Sequence, residues 1–510
     1  ALTISARNWS GKYATLSTGR VQGPTLKFLV NREKSIRSFV PKPYWEIKSE
    51  VEIDRSLFKA EFEKKKIEVK READEILRGC QGRNGRVNKI DVRRYQQKCP
   101  VPFNSGGLQS EAYSLLGYTP RRTSYIAQRL YLDALISYPR TSSQKLPSEI
   151  NYKEILTKLA KVSKYKNLAG ELLAKQELKP KEGKKRDPAH PAIYPTGEKP
   201  ERNLEESETN VLDLIIRRFM AVFSEPAIKE SMKVHINVNE HYFYLRGRRT
   251  VEEGWLHFYG PYARSEEIAL PKIEEGQEIK VQKVILEDKF TSPPSRYNPG
   301  SILKKMEKTG IGTKATRANI IQTLYDRKYI QDRRIMVTDI GFEVLEVLER
   351  NCPNVVSVKM TSKLEKRMEE IQDRKEDREN VLTDTVDILK PVMEKLKEKE
   401  EIIGEQLSHA IKKARLKERI VGACPDCGKG ELMILYSRKT GKRFIGCTSY
   451  FKGKCDTSFP LPQKGTVRPT RTDCGKCGWP TVRVRQKGKR PWTLCFNPDC
   501  PSKQERKKKK

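Results

Sequence analysis

The sequence lacks long hydrophobic runs, and no segment approaches the roughly 20 consecutive apolar residues that a membrane-spanning helix needs. Its first residues, ALTISARNWSGKY, contain no apolar stretch of the kind found in secretory signal peptides. Acidic residues are scarce relative to basic ones, since 66 aspartates and glutamates face 102 lysines and arginines and leave a formal net charge of +36. We therefore expect a soluble intracellular protein with no membrane partner.

What the sequence does have is length, positive charge and aromatic residues. At about 100–200 residues per domain, 510 residues predict three to five domains. The 15 Phe, 5 Trp and 20 Tyr residues are too many for a disordered chain, although charged residues make up 33% of the sequence. A folded, multidomain and strongly basic protein is expected to bind a polyanion, and nucleic acid is the most common one inside cells.

Cysteine is rare in the first 420 residues and abundant after them. Eight of the 11 cysteines lie in residues 421–510, a segment that also holds 22 lysines and arginines against 6 aspartates and glutamates. The other three, Cys80, Cys99 and Cys352, follow no motif, and we interpret them as ordinary small buried residues. The C-terminal fifth of the chain is therefore a separate basic unit.

The C-terminal cysteines form two units, in each of which a Cys-x2-Cys pair is followed by a looser pair. They are Cys424, Cys427, Cys447 and Cys455 in the first unit, and Cys474, Cys477, Cys495 and Cys500 in the second. A two-residue gap lets both thiolates reach one ion, and four thiolates complete a tetrahedral zinc site. A disulfide framework is the alternative, although it is typical of extracellular chains. We predict two structural Zn²⁺ ions in two zinc ribbons, at 420–464 and 470–503, whose metal supplies the folding energy.

Basic and aromatic residues lie between the paired cysteines, including Arg443 and Phe444 in the first ribbon and Arg485 and Trp492 in the second. Cationic side chains suit phosphates and exposed aromatic rings suit stacked bases, as in single-strand-binding proteins. Packing of Phe444 and Trp492 beneath their own zinc sites is the alternative, and the sequence leaves both open. The basic tail at 504–510 is expected to add only nonspecific, salt-sensitive affinity.

Alternating apolar residues predict a β-rich region that a helical block divides in two. Residues 44–53 (YWEIKSEVEI) have apolar side chains at a period of two, and similar alternation returns at 232–238 and 279–284. The block between them, 107–225, is predicted to be helical. Helical spacing and dense mixed charge predict a long exposed helix over 391–419.

A helix-turn-helix outline begins the helical block. Residues 108–116 (LQSEAYSLL) have helical spacing, and Gly117 is suited to end that helix. Thr119 can cap the next helix, which we predict over 121–134.

A short tyrosine segment, 136–141 (ISYPRT), follows that second helix. Pro139 biases Tyr138 toward an extended backbone, and residues two apart in an extended chain project to the same side. The phenol of Tyr138 and the guanidinium of Arg140 are therefore expected to share a face. Such a pair suits a phosphodiester, because the phenol oxygen can attack phosphorus while the arginine neutralises the developing charge.

Residues 102–141, which contain this segment, resemble the catalytic-tyrosine region of type IA DNA topoisomerases, in which a tyrosine forms a 5′-phosphotyrosyl link to a cut single strand. The resemblance implies that Tyr138 is the nucleophile and that Arg140 binds the phosphate. Residues 189–193 (AHPAI) are similar to the A-H-x-A-I element of that family, which implies that His190 lies near the scissile phosphate. The catalytic candidates are thus Tyr138, Arg140 and His190.

Two further elements resemble the parts of the family that line the DNA path. Residues 16–25 (LSTGRVQGPT) are similar to its S-x-G-R-V-Q element, in which Arg20 is the expected phosphate contact. Residues 293–297 (PPSRY) and 310–321 (GIGTKATRANII) match its later signature, where Thr313 or Thr316 caps a helix whose N–H groups can hold a phosphate. The DNA-binding candidates are Ser17, Thr18, Gly19, Arg20, Val21, Gln22, Thr313, Lys314, Thr316 and Arg317.

The resemblance implies a multidomain α+β fold, with the type IA central toroid, helix-turn-helix and winged-helix domains, a β-rich hinge and two C-terminal zinc ribbons. Residues 301–338 outline the winged helix, with Arg333 and Arg334 at its hairpin tip as further DNA contacts. The expected domains are a DNA-groove start at 1–43, hinge parts at 44–104 and 227–288, a catalytic-tyrosine domain at 105–226, a winged-helix groove domain at 289–390, a helical linker at 391–419, ribbons at 420–464 and 470–503, and a tail at 504–510.

One element of the family is missing from the sequence. Members have an N-terminal Toprim domain with a glutamate for acid–base work and a D-x-D pair for Mg²⁺, yet no D-x-D occurs in the 510 residues. We expect that the chain is truncated at its N-terminus, or that the Toprim domain is supplied in cis or in trans. The Mg²⁺ is expected to bind in that Toprim domain. By itself the chain is expected to bind single-stranded DNA but to cleave and reseal it poorly.

The favoured function is that of an archaeal-type topoisomerase, which cuts one strand of underwound DNA, passes another strand and reseals the cut, so that negative supercoils relax. ATP is unnecessary, because the phosphotyrosine keeps the bond energy and no G-x4-GK[ST] loop occurs. The alternatives are a non-catalytic single-strand nucleic-acid-binding zinc protein and the topoisomerase half of a reverse gyrase. We expect a monomer that acts in the cytoplasm, at the nucleoid.

Overall fold

The computed structural model describes residues 2–10, 16, 18–264, 266–501 and 503. They form two compact units. The larger, the core unit, contains residues 18–337 and 352–388, and the smaller, the terminal unit, contains the described residues of 1–17, 338–351 and 389–510. None of the described helices is both long enough and apolar enough to cross a membrane.

The α-helices are α1 (Leu2–Ser10), α2 (Gln22–Arg37), α3 (Lys70–Cys80), α4 (Ser105–Leu116), α5 (Pro120–Leu132), α6 (Tyr152–Ala160), α7 (Lys166–Leu173), α8 (Glu206–Ala221), α9 (Trp255–Tyr259), α10 (Pro299–Lys308), α11 (Arg317–Asp326), α12 (Asp339–Asn351), α13 (Val358–Gln372), α14 (Arg378–Glu398) and α15 (Glu400–Arg419). Short 3₁₀ helices occur at Gly260–Tyr262, Pro353–Val356 and Thr448–Lys452.

The strands are β1 (Pro43–Ile53), β2 (Ser56–Phe62), β3 (Gly85–Gln97), β4 (Ala227–Val238), β5 (His241–Glu252), β6 (Glu278–Phe290), β7 (Ile330–Gln331), β8 (Met336–Val337), β9 (Ile420–Ala423), β10 (Glu431–Tyr436), β11 (Arg443–Cys447), β12 (Ser458–Pro460), β13 (Thr466–Asp473), β14 (Pro480–Arg485) and β15 (Trp492–Cys495).

The two β-rich stretches of the core unit form one antiparallel barrel. Its strands follow the order β1-β2-β5-β4-β3-β6 and close through the pairing of β6 with β1. Apolar side chains at a period of two fill the interior, where Val51, Val234 and Phe243 are fully buried. The prediction of a β region interrupted by a helical insertion is confirmed.

The helix-turn-helix before the tyrosine segment is confirmed, although its second helix spans Pro120–Leu132 rather than 121–134. Helix α4 ends at Leu116, and the next residue, Gly117, adopts a left-handed conformation with φ 72°. The side chain of Thr119 accepts a hydrogen bond from the Arg122 N–H and caps α5, whose first residue is Pro120. Both helices contribute to the core of the helical block, in which α8 supplies the fully buried Val211 and Leu214.

The winged-helix outline is also confirmed. Asn298 has an extended backbone and caps α10 by accepting from the Ser301 N–H. Helix α11 and the β7–β8 hairpin follow, with Ile330 paired to Val337. Residues 332–335 connect the two strands, so Arg333 lies at the tip as predicted.

The terminal unit contains a helical layer in which α15 packs on α1 and α12. Ile403, Leu407 and Ile411 form the buried stripe of α15. Gly404 permits a close approach, because a Cβ there would lie 2.4 Å from the carbonyl oxygen of Ser5. The prediction of one long exposed helix over 391–419 is wrong in two respects: α14 and α15 are separated at Lys399, and the apolar stripe of α15 is covered.

The two cysteine units form small sheets, β12-β11-β10-β9 and β13-β14-β15. One hydrophobic cluster joins them and includes residues of both. At its centre, Phe459 lies 5.2 Å from Trp479 and 5.4 Å from Phe496, between ring centroids. The sequence predicted two ribbons but not that they share a core.

Candidate active site and metal centres

The tyrosine segment runs beside the loop of residues 187–195, because backbone interactions tie the two together. Ile136 forms an antiparallel bridge with Pro195. The N–H of Ser137 donates to the carbonyl of Tyr194 at 2.9 Å. These interactions place the next residue of the segment, the expected nucleophile, against that loop.

Tyr138 is half-buried and contacts two other rings. Its centroid lies 4.4 Å from that of His190, with an angle of 43° between the ring planes. Tyr131 of α5 meets it edge-on at 5.4 Å and 76°. The structure therefore brings Tyr138 and His190 together, while Tyr138 keeps part of its surface open to solvent.

The far end of the tyrosine segment is anchored to the start of α4 and to the histidine loop. The N–H of Ser105 donates to the Thr141 carbonyl at 2.9 Å, and the amide of Asn104 donates to the Ser142 carbonyl at 3.2 Å. The Thr141 hydroxyl donates to the carbonyl of His190 at 3.2 Å. The residues on both sides of Arg140 are thus held in place.

Arg140 lines a cavity of about 220 Å³ between the helix-turn-helix and the start of α11. Lys314 lines the same cavity, so the structure brings two predicted phosphate-binding cations together. The lining includes Pro139 but not Tyr138. Arg140 and Lys314 therefore lie around the cavity, and the neighbouring Tyr138 forms a ring pair with His190 of the 187–195 loop.

Asp187 is a site residue that the motifs did not single out. Its side chain is 1% exposed and forms an ion pair with Lys314. The carboxylate also accepts from the N–H of Ser142 at 2.9 Å, from the Ser142 hydroxyl at 3.0 Å and from the N–H of Ala189 at 3.2 Å. Burial acts to raise the pKa of Asp187, but Lys314 and these donors outweigh it and hold the pKa well below its usual range. In the sequence, Asp187 is distinguished as one acidic residue within the basic stretch KKRDPAH.

Arg20, the expected phosphate contact of the S-x-G-R-V-Q element, is engaged by α13. Its guanidinium lies 3.2 Å from a carboxylate oxygen of Glu365 and donates to the sulfur of Met368 at 2.9 Å. The side chain is 39% exposed, so part of the guanidinium remains accessible. Ser17, from the same element, lies outside the described residues.

The rest of this element packs toward the turn that precedes α11. Val21 is buried close to Gly312, where a Cβ would lie 3.1 Å from a Val21 methyl carbon. Thr18 and Gly19 are half-buried. The side-chain amide oxygen of Gln22 is shielded from solvent, and it has no hydrogen-bond partner in the part of the chain that is described. The two DNA-path elements, far apart in sequence, are neighbours in the core unit.

The turn before α11 does not use the expected threonine cap. Thr316 precedes the helix, but its backbone is helical (φ −104°, ψ −28°) and its side chain makes no capping bond. The Thr316 hydroxyl instead accepts from the Thr313 N–H at 2.9 Å. The capping prediction is wrong for Thr316, because an extended backbone is needed to aim the side chain at the first turn of a helix. Both threonines are exposed.

Arg317 is folded back onto this turn. Its Nε donates to the Ile311 carbonyl at 3.0 Å, and burial lowers the pKa of the guanidinium. Gly310 and Gly312 have φ of 65° and 68°, which other residues rarely adopt. Arg317 therefore stabilises the turn in addition to carrying charge.

The two arginines at the wing tip differ in their surroundings. Arg333 donates to the Gly117 carbonyl at 3.3 Å and so contacts the end of α4. Arg334 is exposed. The basic tail at 504–510 lies outside the described residues.

The predicted cysteine ligands converge on two centres, in each of which the four sulfurs lie within 4.8 Å of one another. The first set is Cys424, Cys427, Cys447 and Cys455, and the second is Cys474, Cys477, Cys495 and Cys500. Sulfur–sulfur distances of 3.9 and 3.7 Å in the first centre and 3.8 and 3.5 Å in the second match a tetrahedron with Zn–S bonds of about 2.3 Å. The residues therefore fit zinc at both centres.

The backbone of the first centre favours a thiolate at Cys427. The N–H groups of Lys429 and Gly430 lower the pKa of Cys427. Gly428 has a φ of 60° and turns the chain tightly after that ligand. The rings of Phe444 and Trp492, whose placement the sequence left open, are half-buried.

A profile of the family described as DNA topoisomerase matches residues 2–383. The chain belongs to the type IA DNA topoisomerase family. It is 46% identical to DNA topoisomerase 1 of Pyrococcus horikoshii over 503 residues, which cover 98% of this chain and 73% of that protein. It is 39% identical to the Methanothermobacter thermautotrophicus protein of the same name, covering 99% of this chain and 67% of the other.

A third relative, DNA topoisomerase 1 of Methanocaldococcus jannaschii, is 41% identical and is covered over 63% of its length. Among solved structures, full-length topoisomerase I from Thermotoga maritima matches with a TM-score of 0.60 and 25% identity, covering 90% of this chain and 73% of the other. The enzyme class is therefore DNA topoisomerase, an isomerase. The chain spans about two thirds to three quarters of these proteins.

Proposed function

We propose that this type IA topoisomerase relaxes negatively supercoiled DNA without ATP, through a covalent link between Tyr138 and the 5′ end of a cut strand. The observation that carries the proposal is the arrangement of the tyrosine segment: a half-buried Tyr138 against His190, next to a cavity that Arg140 shares with Lys314. These residues together can activate an oxygen and neutralise a phosphodiester.

In the proposed cleavage step, the phenol oxygen of Tyr138 forms a bond to phosphorus and the bond from phosphorus to the 3′ oxygen breaks. The phenol proton leaves and a proton is delivered to the 3′ oxygen, so charge and protons balance. Arg140 neutralises the non-bridging oxygens. His190, in ring contact with Tyr138, can relay a proton or donate to a phosphate oxygen.

The DNA path runs along residues that the fold brings together. The 18–22 stretch lies next to the 310–317 turn, and exposed Thr313 and Thr316 stand beside Lys314. We assign phosphate contacts to these two stretches and to Arg334 at the wing tip. Single-stranded or underwound DNA is the partner that suits them, because the chemistry acts on one strand.

We assign one structural Zn²⁺ to each cysteine centre, held by the four sulfurs that converge there. The metal supplies folding energy to two sheets that would otherwise have a small core. Arg485 and Lys487 of the second ribbon, with half-buried Trp492, suit a single strand. The ribbons therefore add a second, salt-sensitive contact to DNA.

Magnesium does not fit the described residues, whose convergent metal-ligand groups are the two cysteine centres. No cleavage step is therefore assigned to Mg²⁺ within the described residues. We propose that a Toprim domain, in cis or in trans, supplies it, and that these residues alone bind DNA as a monomer but cleave and reseal it poorly.

The test is Tyr138→Phe in the chain with a type IA Toprim domain supplied. Relaxation of negatively supercoiled plasmid should fall more than about a thousandfold, since the attacking oxygen is removed. Tyr131→Phe is the matched control, because it removes a neighbouring phenol oxygen but keeps the ring that packs on Tyr138. Relaxation that persists in Tyr138→Phe would show that the nucleophile is assigned incorrectly.

A further inference from the structure

Asp187 joins three stretches of chain that are separate in sequence. We propose that Asp187 is a positioning residue for strand cleavage, whose carboxylate fixes the tyrosine segment, the histidine loop and Lys314 in one arrangement. The inference rests on the proposed function, since it concerns the same reacting groups. Its hydrogen-bond and ion-pair partners are Ser142, Ala189 and Lys314, so Asp187 would act through these neighbours.

Its partners are distributed across the site. Ser142, which donates to it twice, is the second residue after Arg140. Ala189, whose N–H donates at 3.2 Å, directly precedes His190. Lys314 lines the cavity that contains Arg140. A shift of the Asp187 carboxylate would therefore change the relative placement of Arg140, His190 and Lys314.

The chemistry of the contact explains why a carboxylate is required. Two N–H groups, one hydroxyl and one ammonium all point at the Asp187 side chain, so every partner is a donor. A carboxylate can accept from all of them, whereas an asparagine would turn an NH₂ group toward one donor. Exclusion of water strengthens these interactions and makes their loss costly.

A second ion pair also joins this loop to the winged helix, but here the loop carries the positive charge and the winged helix the negative one. Lys185, two residues before Asp187, pairs with Glu307 at the end of α10. The Lys185 side chain is 49% exposed, whereas Asp187 is shielded. The Lys185–Glu307 pair is the more exposed of the two, so we expect the Asp187–Lys314 pair to contribute more to the docking of the loop on the winged helix.

Loss of Asp187 should leave the fold intact, because other bonds hold the same loops. The Thr141 hydroxyl still donates to the His190 carbonyl, and Ser137 still pairs with Tyr194. What is lost is the fine placement of reacting groups, and a misplacement of about 1 Å can slow a reaction about a hundredfold.

The experiment compares Asp187→Asn with Asp213→Asn, both with a Toprim domain supplied. Asp213 on α8 is a matched control: its side chain is 6% exposed, it accepts from Tyr165 and Tyr262 at 2.7 and 2.9 Å, and it pairs with Lys164 at 2.8 Å. The measurements are the melting temperature, the Kd for a fluorescent single-stranded oligonucleotide, and the cleavage rate at saturating oligonucleotide.

Asp187→Asn should cleave about 10- to 100-fold more slowly, with a Kd that is unchanged or tighter, because a negative charge beside Lys314 is removed. Asp213→Asn should lose thermal stability but cleave within about threefold of the unaltered rate, since its partners lie away from the site. Cleavage by Asp187→Asn within threefold of normal, equal slowing in both variants, or a Kd that weakens in step with the rate would each overturn the inference.

Asp187→Glu is measured in parallel, so that the inference can still be tested if Asp187→Asn does not fold. It keeps the charge but displaces the oxygens by one methylene, and about tenfold slower cleavage is expected; a normal rate would overturn the inference. Tyr138→Phe distinguishes a failure of the proposed function from a failure of this inference. Cleavage that persists in Tyr138→Phe contradicts the proposed function. Cleavage that is lost in Tyr138→Phe but is normal in Asp187→Asn contradicts only the inference about Asp187.

Discussion

The imidazole of His190 packs on the ring of Tyr138, with centroids 4.4 Å apart. The contact joins two residues that are 52 positions apart in sequence, on two segments that meet through the main-chain hydrogen bond from Ser137 to Tyr194. His190 is therefore held by its backbone on one side and by the phenol ring on the other. A histidine in that position can act both by packing and by moving a proton.

Two variants of His190 should separate these roles. His190→Ala removes the ring and the proton carrier, and His190→Phe restores a ring for Tyr138 to pack against. Because neither alanine nor phenylalanine can carry a proton, both variants should cleave about 10²- to 10⁴-fold more slowly at saturating DNA. Recovery of the rate in His190→Phe would instead show that packing is the main contribution.

Replacement of Glu365 should strengthen DNA binding through Arg20. The guanidinium of Arg20 lies 3.2 Å from the nearly buried Glu365 carboxylate, which competes with phosphate for the same cation. Glu365→Gln should tighten single-strand binding about two- to fivefold at low salt, and the gain should shrink as salt increases. Fluorescence anisotropy across a salt series measures this effect.

Glu369→Gln is the control for that experiment, since it removes the same charge one turn further along α13, at an exposed position. A gain of equal size in both variants would show that bulk charge, rather than the release of Arg20, is responsible.

The two zinc centres should lose metal together when their shared core is damaged. Trp479→Ala leaves all eight cysteines in place but removes the ring that Phe459 and Phe496 contact. Zinc transfer to a chelator should become faster at both centres by about tenfold, because the sheets no longer support each other. Trp492→Ala, outside that cluster, should have a smaller effect. Faster loss at one centre alone would contradict a shared core.

Acid should remove a stabilising contribution at Glu208. Its side chain, 1% exposed, pairs with Arg202 at 2.8 Å and with Arg129 at 2.9 Å. The Arg202 hydrogen bonds lower the pKa of Glu208 to about 2. This folded-state pKa lies below the unfolded value of about 4.3. The stabilisation by Glu208 is therefore complete when the pH is above about 4.3, and it is lost as the pH falls toward 2.

Glu208→Gln should therefore lower the free energy of unfolding on the order of 1 kcal/mol at pH 7, and the difference from the unaltered protein should close between about pH 4 and pH 2. Denaturant unfolding at several pH values tests this. A difference that stays constant over that range would exclude the carboxylate charge as its source.

Much of the fold could be predicted because its signals are local. Gly117 and Thr119 bound the helix-turn-helix through backbone conformation and capping, which depend on one or two residues. The barrel strands show a period of two. The cysteine centres follow from the reach of a Cys-x2-Cys pair.

The parts that the sequence did not reveal depend on contacts between distant residues. Asp187 meets Lys314 across 127 positions, and Arg20 meets Glu365 across a longer separation; a single charged residue has no periodicity that indicates its partner. The cap at Thr316 failed for a local reason, since its backbone is helical rather than extended. The shared ribbon core depends on rings from both cysteine units.

The attachment of a cut strand to Tyr138 can be measured with one single-stranded oligonucleotide labelled at either end. The chain, with a Toprim domain supplied, is mixed with it, stopped with denaturant and separated by gel. A link to the 5′ end predicts that the 3′ label moves with the protein, that the 5′ label appears in a shorter free strand, and that Tyr138→Phe gives neither. Label transfer from the 5′-labelled strand, or transfer that survives Tyr138→Phe, would contradict the proposed mechanism.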